Sequence, residues 1–374
     1  MREQAPDHLK VLIAGGGTGG HLFPAVAIAR GLREAVPACE VRFVGSYYGL
    51  ETKILPERNE VFYPLDIQGI QRQGTIEGLS HNLKFPWKFI RAYRRCRSIL
   101  KLFRPDLVIG TGGYASGLPL LAAQRQKIPT LIQEQNSYPG LTTRRLARKA
   151  GLVCVTYKES LKYLKTENYA ITRNPLRFNS ATPTSSEARK TLKLPAEKKV
   201  VFILGGSQGS HALNSHFKGR WRHYVKEVGI HLLWQAGPRE YDGIVKAVGR
   251  SRGVTVIPFV HDMLSAYMAA DLVICRAGAM TISELTALGR PSILVPLPGA
   301  AADHQTKNAQ LLRRRKAARL VPEKSIKDGA LEEALTELVK DDNKLQEMSL
   351  RAHKLAKPRA TTLIVKHALR LAGK

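Results

Sequence analysis

The sequence predicts an α/β protein of two Rossmann-like domains, each a parallel sheet with helices between its strands. Three observations carry that expectation. Short apolar runs alternate with helical segments along the whole chain, as in parallel sheets. At 374 residues the chain is too long for one ordinary core. Two glycine turns of one layout, GGGTGG from Gly15 and GGSQGS from Gly205, each follow an apolar strand and open a helix, so one architecture occurs twice.

Taken in order, the strands expected in the first half are KVLIAG, CEVRFVG, the LVIG ending at Gly110, PTLIQE and LVCVTY, with helices in most of the intervals. The second series is KVVFILGG, HLLWQAG, VTVIPFV, DLVICRAG, PSILVPLP and ARLVPE. Residues 174–199 are rich in Pro, Ser, Thr and Lys and read as the linker, so the domains are expected at 1–174 and 175–357. A third glycine turn, GTGGYASG from Gly110 to Gly117, also sits at a strand end. Turns at strand ends place ligand groups at the carboxyl edges of the sheets and imply an interdomain cleft.

Composition excludes several classes. With 44% hydrophobic and 24% charged residues the chain is globular, neither disordered nor fibrous. Cys39, Cys96, Cys154 and Cys275 lie far apart, which indicates neither a disulfide framework nor a zinc site. The first ten residues lack an apolar signal core, and no segment has the roughly twenty apolar residues of a spanning helix. The 59 Lys and Arg against 30 Asp and Glu give a net charge of +29, which favours polyanionic partners or reflects a generally basic proteome. Nucleic acid is the rival partner on charge alone. No helix-turn-helix, zinc or RNA-stacking signature supports it.

Residues 11–24, VLIAGGGTGGHLFP, concentrate the chemistry of the first domain. Gly15, Gly17 and Gly20 satisfy Gly-x-Gly-x-x-Gly, a turn whose amides and following helix start can hold a diphosphate. A dinucleotide site also needs an acid at the end of the second strand. VRFVG ends at Gly45 and Ser46 without one, and Glu40 precedes it. A phosphate ligand of another kind, or a tight turn with no ligand, remains. His21, directly after the glycines, is the candidate general base by residue type, with Glu134 second; a loop hydrogen bond is its other reading.

In the second domain CRAGAMTISE, from Cys275 to Glu284, runs from a strand into a helix. The amides of Ala279, Met280 and Thr281 are placed for a phosphate, and the Glu284 carboxylate matches a ribose diol. Thr281 and Glu284 also have capping-box spacing. Asp303, His304, Gln305 and Asn308 open a further helix with groups suited to sugar hydroxyls.

Between Glu77 and Asp106 there is no acid, while Lys84, Lys88 and six further cations accumulate. Phe89, Tyr93, Cys96, Leu100 and Phe103 recur at helical spacing as a packed stripe. Leu79, Leu83, Phe85 and Trp87 lie beside cations, as an interfacial membrane patch or a solvated basic face would.

Across its length the chain resembles the MurG family of bacterial glycosyltransferases, which make lipid II on the inner face of the cytoplasmic membrane. The resemblance rests on GGTGGH at Gly16, GTGGYASG at Gly110, EQN at Glu134, NPLR at Asn174, GGSQGS at Gly205, CRAGAMTISE at Cys275 and DHQTKNA at Asp303. It implies a GT-B glycosyltransferase fold, two Rossmann-like domains with parallel sheets facing a deep interdomain cleft, and a final helix within 358–374 returning to the first domain. The implied reaction moves N-acetylglucosamine from its UDP donor to the C4 hydroxyl of the muramoyl sugar of lipid I, with inversion. The donor would contact Thr18, Gly19, Gly20, Asn136, Arg177, Ser207, Val260, Ala279, Met280, Thr281, Ile282, Ser283, Glu284 and Gln305. Gly16, Gly17, Gly112, Gly113 and Tyr114 would then face the acceptor. Gln133 stands where the family often carries His.

No Asp-x-Asp motif occurs, so no metal or other cofactor is expected, and helix starts near Ser207 and Met280, with Arg177, would meet the departing diphosphate. Expected partners are UDP-N-acetylglucosamine, lipid I, an anionic membrane surface and cell-wall synthesis proteins. The alternatives are another GT-B lipid glycosyltransferase or a UDP-N-acetylglucosamine 2-epimerase, which needs no lipid acceptor.

Overall fold

A computed structural model describes residues 8–67, 85–176, 178, 182–300, 303–356 and 359–374, with Phe85 and Pro86 described by backbone alone. The chain divides into two compact units, Met1–Arg177 with Arg359–Lys374, and Phe178–Pro358.

In the first unit β1 (Leu9–Ala14) lies between β2 (Cys39–Ser46) and β4 (Leu107–Gly110). With β3 (Phe62–Leu65), β5 (Thr130–Glu134), β6 (Leu152–Val155) and β7 (Tyr169–Ile171) they form a seven-stranded sheet ordered β3-β2-β1-β4-β5-β6-β7. Every pairing is parallel. β4 and β5 are buried throughout and β1 at every residue but Lys10, as strands covered on both faces must largely be. The edge strands β3 and β7 are the two the apolar runs do not announce. β3 carries Pro64, tolerated where one side of the ladder is unpaired, and β7 is three largely exposed residues.

Helix α1 (Gly19–Ala35) buries Leu22, Ala25, Ile28, Ala29 and Leu32 against the sheet. Further helices are α2 (Glu51–Glu57), α3 (Phe85–Phe103), α4 (Gly117–Arg125) and α5 (Leu141–Leu146). In α3 the packed stripe is Ala92, Cys96, Ile99, Leu100 and Phe103. Phe89, expected in that stripe, is 39% exposed and lines a cavity with Leu118 and Leu121.

The second unit repeats the plan. Strands β8 (Val200–Leu204), β9 (His231–Gln235), β10 (Val254–Ile257), β11 (Leu272–Cys275), β12 (Ser292–Leu294) and β13 (Arg319–Leu320) form a parallel sheet ordered β10-β9-β8-β11-β12-β13. Its helices are α6 (Ser185–Thr191), α7 (His211–Lys226), α8 (Tyr241–Val248), α9 (Met263–Ala269), α10 (Ala279–Ala287), α11 (His304–Arg314), α12 (Ala330–Val339) and α13 (Asp342–Lys354).

The final helix α14 (Ala360–Leu371) belongs to the first unit, where Ile364, Val365 and Ala368 join the core beneath α1. Gly31 of α1 permits the close approach, since a Cβ there would lie 2.8 Å from Thr361 Cγ2. All four cysteines are free and buried. Burial pushes the Cys96 and Cys154 thiols up to about 12, so they remain protonated and unreactive.

Candidate active site

In each sheet the strand order reverses once, between β1 and β4 and between β8 and β11. Ligands of open α/β sheets bind beyond the carboxyl ends at such points. The sequence motifs fall there: residues 15–21 after β1, 111–117 after β4, 205–210 after β8 and 276–281 after β11.

In the first unit the two turns are packed on each other. Gly112 has φ 94°, and a Cβ there would lie 2.7 Å from His21 Nδ1. A Cβ on Gly113 (φ 75°) would lie 2.7 Å from the Gly16 carbonyl oxygen. The Tyr114 ring covers Gly17, so Gly16, Gly17, Gly112, Gly113, Tyr114 and His21 form one cluster.

The imidazole of His21 is locked. Its Nδ1 lies 3.1 Å from the Thr111 carbonyl and 3.0 Å from Gln135 Oε1. Gln135 Nε2 donates to the Thr111 and Gln133 carbonyls at 2.8 and 3.1 Å, and a carbonyl only accepts, which fixes Oε1 toward the histidine. Nδ1 therefore donates, so Nε2 is the nitrogen that accepts in the neutral tautomer. Gln133, in the place of the family's histidine, is fully buried and passes the network on to Asn174 Oδ1 at 3.1 Å. It holds Gln135 from behind, a role its strand position alone did not suggest.

Glu134 is occupied otherwise. Its Oε1 accepts from the Asn136 amide at 3.0 Å and its Oε2 from the Gly140 amide at 3.3 Å. This carboxylate orders the 134–140 loop, and with it Asn136.

Thr18 is the N-cap of α1, exposed, extended, and without a side-chain cap. No acid stands in the first turn. Thr18, Gly19 and Gly20 thus present the positive end of a seventeen-residue helix. The sequence reading found no acid after β2, yet Glu51, at the start of α2, is completely buried and accepts from the Gly17 amide. It addresses the turn's backbone, not a ribose.

In the second unit the turn 205–210 is held by neutral groups. Gln235, buried at the end of β9, donates through Nε2 to the Gly206 carbonyl at 2.7 Å and accepts through Oε1 from the Val260 amide at 3.2 Å. It brings Val260 to the turn of Ser207, a link no sequence motif showed. The helix expected at Ser207 begins four residues later, at His211: Gly206 and Gly209 have φ 95° and 80°, and Ser210 is the N-cap, its Oγ accepting from the Leu213 amide. Ser207 therefore lies in the turn, half-buried.

Helix α10 starts at Ala279 with Gly278 as N-cap and no acid in its first turn, so Ala279, Met280 and Thr281 occupy the N-terminal turn. Thr281 and Glu284 are not a capping box, because both lie inside the helix. Ile282 packs into the core and Ser283 Oγ donates to the Ala279 carbonyl. Glu284 is fully buried, and its Oε2 accepts from the Tyr267 hydroxyl of α9 at 3.0 Å. Gln305, on the first turn of α11, accepts from the Leu297 amide at 3.0 Å and ties that helix to the loop after β12. Arg276, within the CRAG run, is structural: it pairs with Glu323 at 2.5 Å and donates to the Val295 and Pro296 carbonyls.

Arg177, Leu79, Leu83 and Lys84 lie outside the described residues, as does the side chain of Phe85. Of the basic, aromatic stretch, Trp87 is 78% exposed, and Lys88 pairs with Asp66 at 3.1 Å. Beside it Phe89, Tyr114, Leu118 and Leu121, with Lys88 and Arg145, line a largely apolar cavity of about 240 Å³. Among the described residues no helix is long and apolar enough to cross a membrane, and no three His, Cys, Asp or Glu side chains converge as for a metal ion.

Residues 11–155 match the glycosyltransferase family 28 N-terminal domain, and residues 200–364 match the family 28 C-terminal domain. The UDP-N-acetylglucosamine--N-acetylmuramyl-(pentapeptide) pyrophosphoryl-undecaprenol N-acetylglucosamine transferase of Acetivibrio thermocellus is 39% identical, over 95% of this chain and 96% of the relative. The enzyme of the same name from Porphyromonas gingivalis is 41% identical, over 99% and 97%. The crystal structure of Acinetobacter baumannii MurG superposes with a TM-score of 0.71 at 29% identity, covering 97% of this chain and 99% of that one. UDP-GlcNAc 2-epimerase from Neisseria meningitidis, at 16% identity and a TM-score of 0.63, shares the fold. With both halves matched to the family's two domains and full-length relatives at this identity, the chain belongs to glycosyltransferase family 28 and, within it, to the MurG N-acetylglucosaminyltransferases.

Proposed function

We propose that the protein transfers N-acetylglucosamine from UDP-N-acetylglucosamine to the C4 hydroxyl of the muramoyl sugar of lipid I, with inversion, making lipid II. The substrates are those in the names of its full-length relatives. One observation supports the chemistry: at the first sheet's switch point, Gln135 and Thr111 engage Nδ1 of His21 as a donor, so Nε2 is the accepting nitrogen of the neutral tautomer.

In this reading Nε2 takes the hydroxyl proton as the acceptor oxygen attacks the anomeric carbon. The bond from that carbon to the UDP β-phosphate oxygen breaks, and its electron pair leaves with UDP. The N-terminal turn of α10 and the turn of Ser207 receive the diphosphate, and Glu284 the ribose. Because Glu284 is covered and bonded to Tyr267, ribose binding requires local rearrangement around it. Gly16, Gly112, Gly113 and Tyr114 serve the acceptor, and Thr18, Gly19 and Gly20 at the start of α1 face the donor sugar.

The protein works at the inner face of the cytoplasmic membrane as a peripheral protein. Exposed Trp87 and the cations of α3 support that docking, each cation near an anionic surface contributing on the order of 1 kcal/mol.

The test is incubation with radiolabelled UDP-N-acetylglucosamine and a lipid I analogue. Label entering the lipid supports the reading; epimerised or untouched donor defeats it. Failure to co-sediment with anionic vesicles at low salt would remove the membrane part alone.

A further inference from the structure

We infer that Glu51 is a positioning residue of the acceptor-side turn: its carboxylate fills, from inside the protein, the anion position of the glycine turn 15–20. The inference rests on the assignment of that turn to the acceptor. Glu51 Oε2 accepts from the Gly17 amide at 2.8 Å, and Oε1 accepts from the Ser46 amide at 2.8 Å and from Gly17 at 3.1 Å. The residue is 0% exposed, and among the described residues no lysine or arginine pairs with it. A buried carboxylate persists only where hydrogen bonds replace its water, and here backbone donors of the first and second strand ends supply them.

The surrounding glycines are fitted to the acid. A Cβ on Gly16 or on Gly49 would lie 2.1 Å from a Glu51 carboxylate oxygen, and one on Gly45 3.0 Å from it. In a nucleotide-binding turn of this sequence pattern the amide aimed into the loop meets a phosphate. Here the protein's own carboxylate has that place, which explains why a Gly-x-Gly-x-x-Gly turn need bind no dinucleotide. It also implies that the acceptor's phosphates are met by other groups than the Gly17 amide.

The consequence reaches the base. Gly17 is pinned by Glu51, the Thr18 carbonyl accepts from the His21 amide at 3.2 Å, and the Gly16 carbonyl backs Gly113. Loss of the carboxylate frees the segment that sets both His21 and the packing of the two acceptor turns.

The experiment compares wild type with Glu51→Ala and the isosteric Glu51→Gln in the full-length protein. For Glu51→Ala, kcat/KM for a lipid I analogue falls roughly tenfold or more, as expected for the loss of charge-assisted buried hydrogen bonds, while the KM for UDP-N-acetylglucosamine is unchanged. Added formate, refilling the anion position, restores part of the loss, and chloride at equal ionic strength does not. Unchanged acceptor kinetics, or equal losses toward both substrates without formate rescue, overturns the inference. If Glu51→Ala does not fold, Glu51→Gln carries the test, since its amide sets N–H against N–H; wild-type acceptor kinetics in it is an overturning result. Hydrogen exchange over residues 15–21 reads the same contact without activity. Protection in wild type that is lost in Glu51→Gln supports the inference, and equal exchange overturns it. A wild type with no transfer activity but this exchange difference would sink the functional reading and leave the role of Glu51 standing.

Discussion

The glycine turns after β1 and after β8 have the same place in the same strand order and nearly the same composition, yet they are held in opposite ways. The first encloses a carboxylate: Glu51 takes the Gly17 amide, and the helix beyond has no side-chain cap. The second is tied by neutral groups, with Gln235 on the Gly206 carbonyl and Ser210 capping α7. In the proposed reading, the turn whose anion is built in serves as a fixed scaffold for the neighbouring base, while the neutral turn receives the ligand's phosphate. Shared architecture thus does not give shared ligand chemistry, and the difference lies in one side chain from a neighbouring helix.

The comparison can be broken at several points. The largest effect is expected from His21→Ala, which should lower kcat by about 10²- to 10⁴-fold, the usual contribution of a positioned base, with the KM for the donor unchanged. Steady-state kinetics with both substrates varied checks it, and a raised donor KM would place His21 in binding. Glu284→Ala, on the side with the neutral turn, should raise the donor KM by about tenfold or more with little change toward the acceptor, and should destabilise the second unit by about 1–3 kcal/mol, because the Tyr267 hydroxyl loses a buried partner. Calorimetric titration with UDP separates the two losses; unaltered UDP affinity removes the ribose assignment.

A third prediction concerns acid. Burial holds His216 of α7 down at about 4 from the ordinary 6.5, with Tyr224 Oη 2.7 Å from its Nε2. The unfolded chain then binds the extra proton between those values, so stability is fully present above pH 6.5 and declines as pH falls toward 4. Discounted for partial exposure, the loss is on the order of 1–2 kcal/mol. Denaturant melts at several pH values should show a flatter acid limb in His216→Gln. The smallest effect is expected from Ser210→Ala, which removes the cap of α7 and should cost about 1 kcal/mol of stability while leaving the acceptor KM as it was.

Much of the site was legible in the chain. Gly15, Gly110 and Gly205 announced turns at strand ends, and CRAGAMTISE announced a strand running into a helix, because glycine after an apolar run has few other uses. The strands that escaped notice, β3 and β7, are short edge strands whose exposed positions dilute the apolar signal. Thr281 and Glu284 fitted a cap by spacing, but the helix had already begun at Ala279. The sequence marks Gln133 only as standing where the family often carries His, and Gln135 only as part of the EQN motif. Buried, they form the chain of amides that selects the tautomer of His21.

Sequence alone determined the two-unit α/β plan, the positions of the glycine turns and the family, because those depend on local periodicity and on motifs contiguous in the chain. Only the tertiary structure decided which groups face one another. Glu51 reaches Gly17 across 34 residues and Gln135 reaches His21 across 114. Such contacts follow from the parallel crossovers that bring distant strand ends to one edge of a sheet, and no local pattern encodes them.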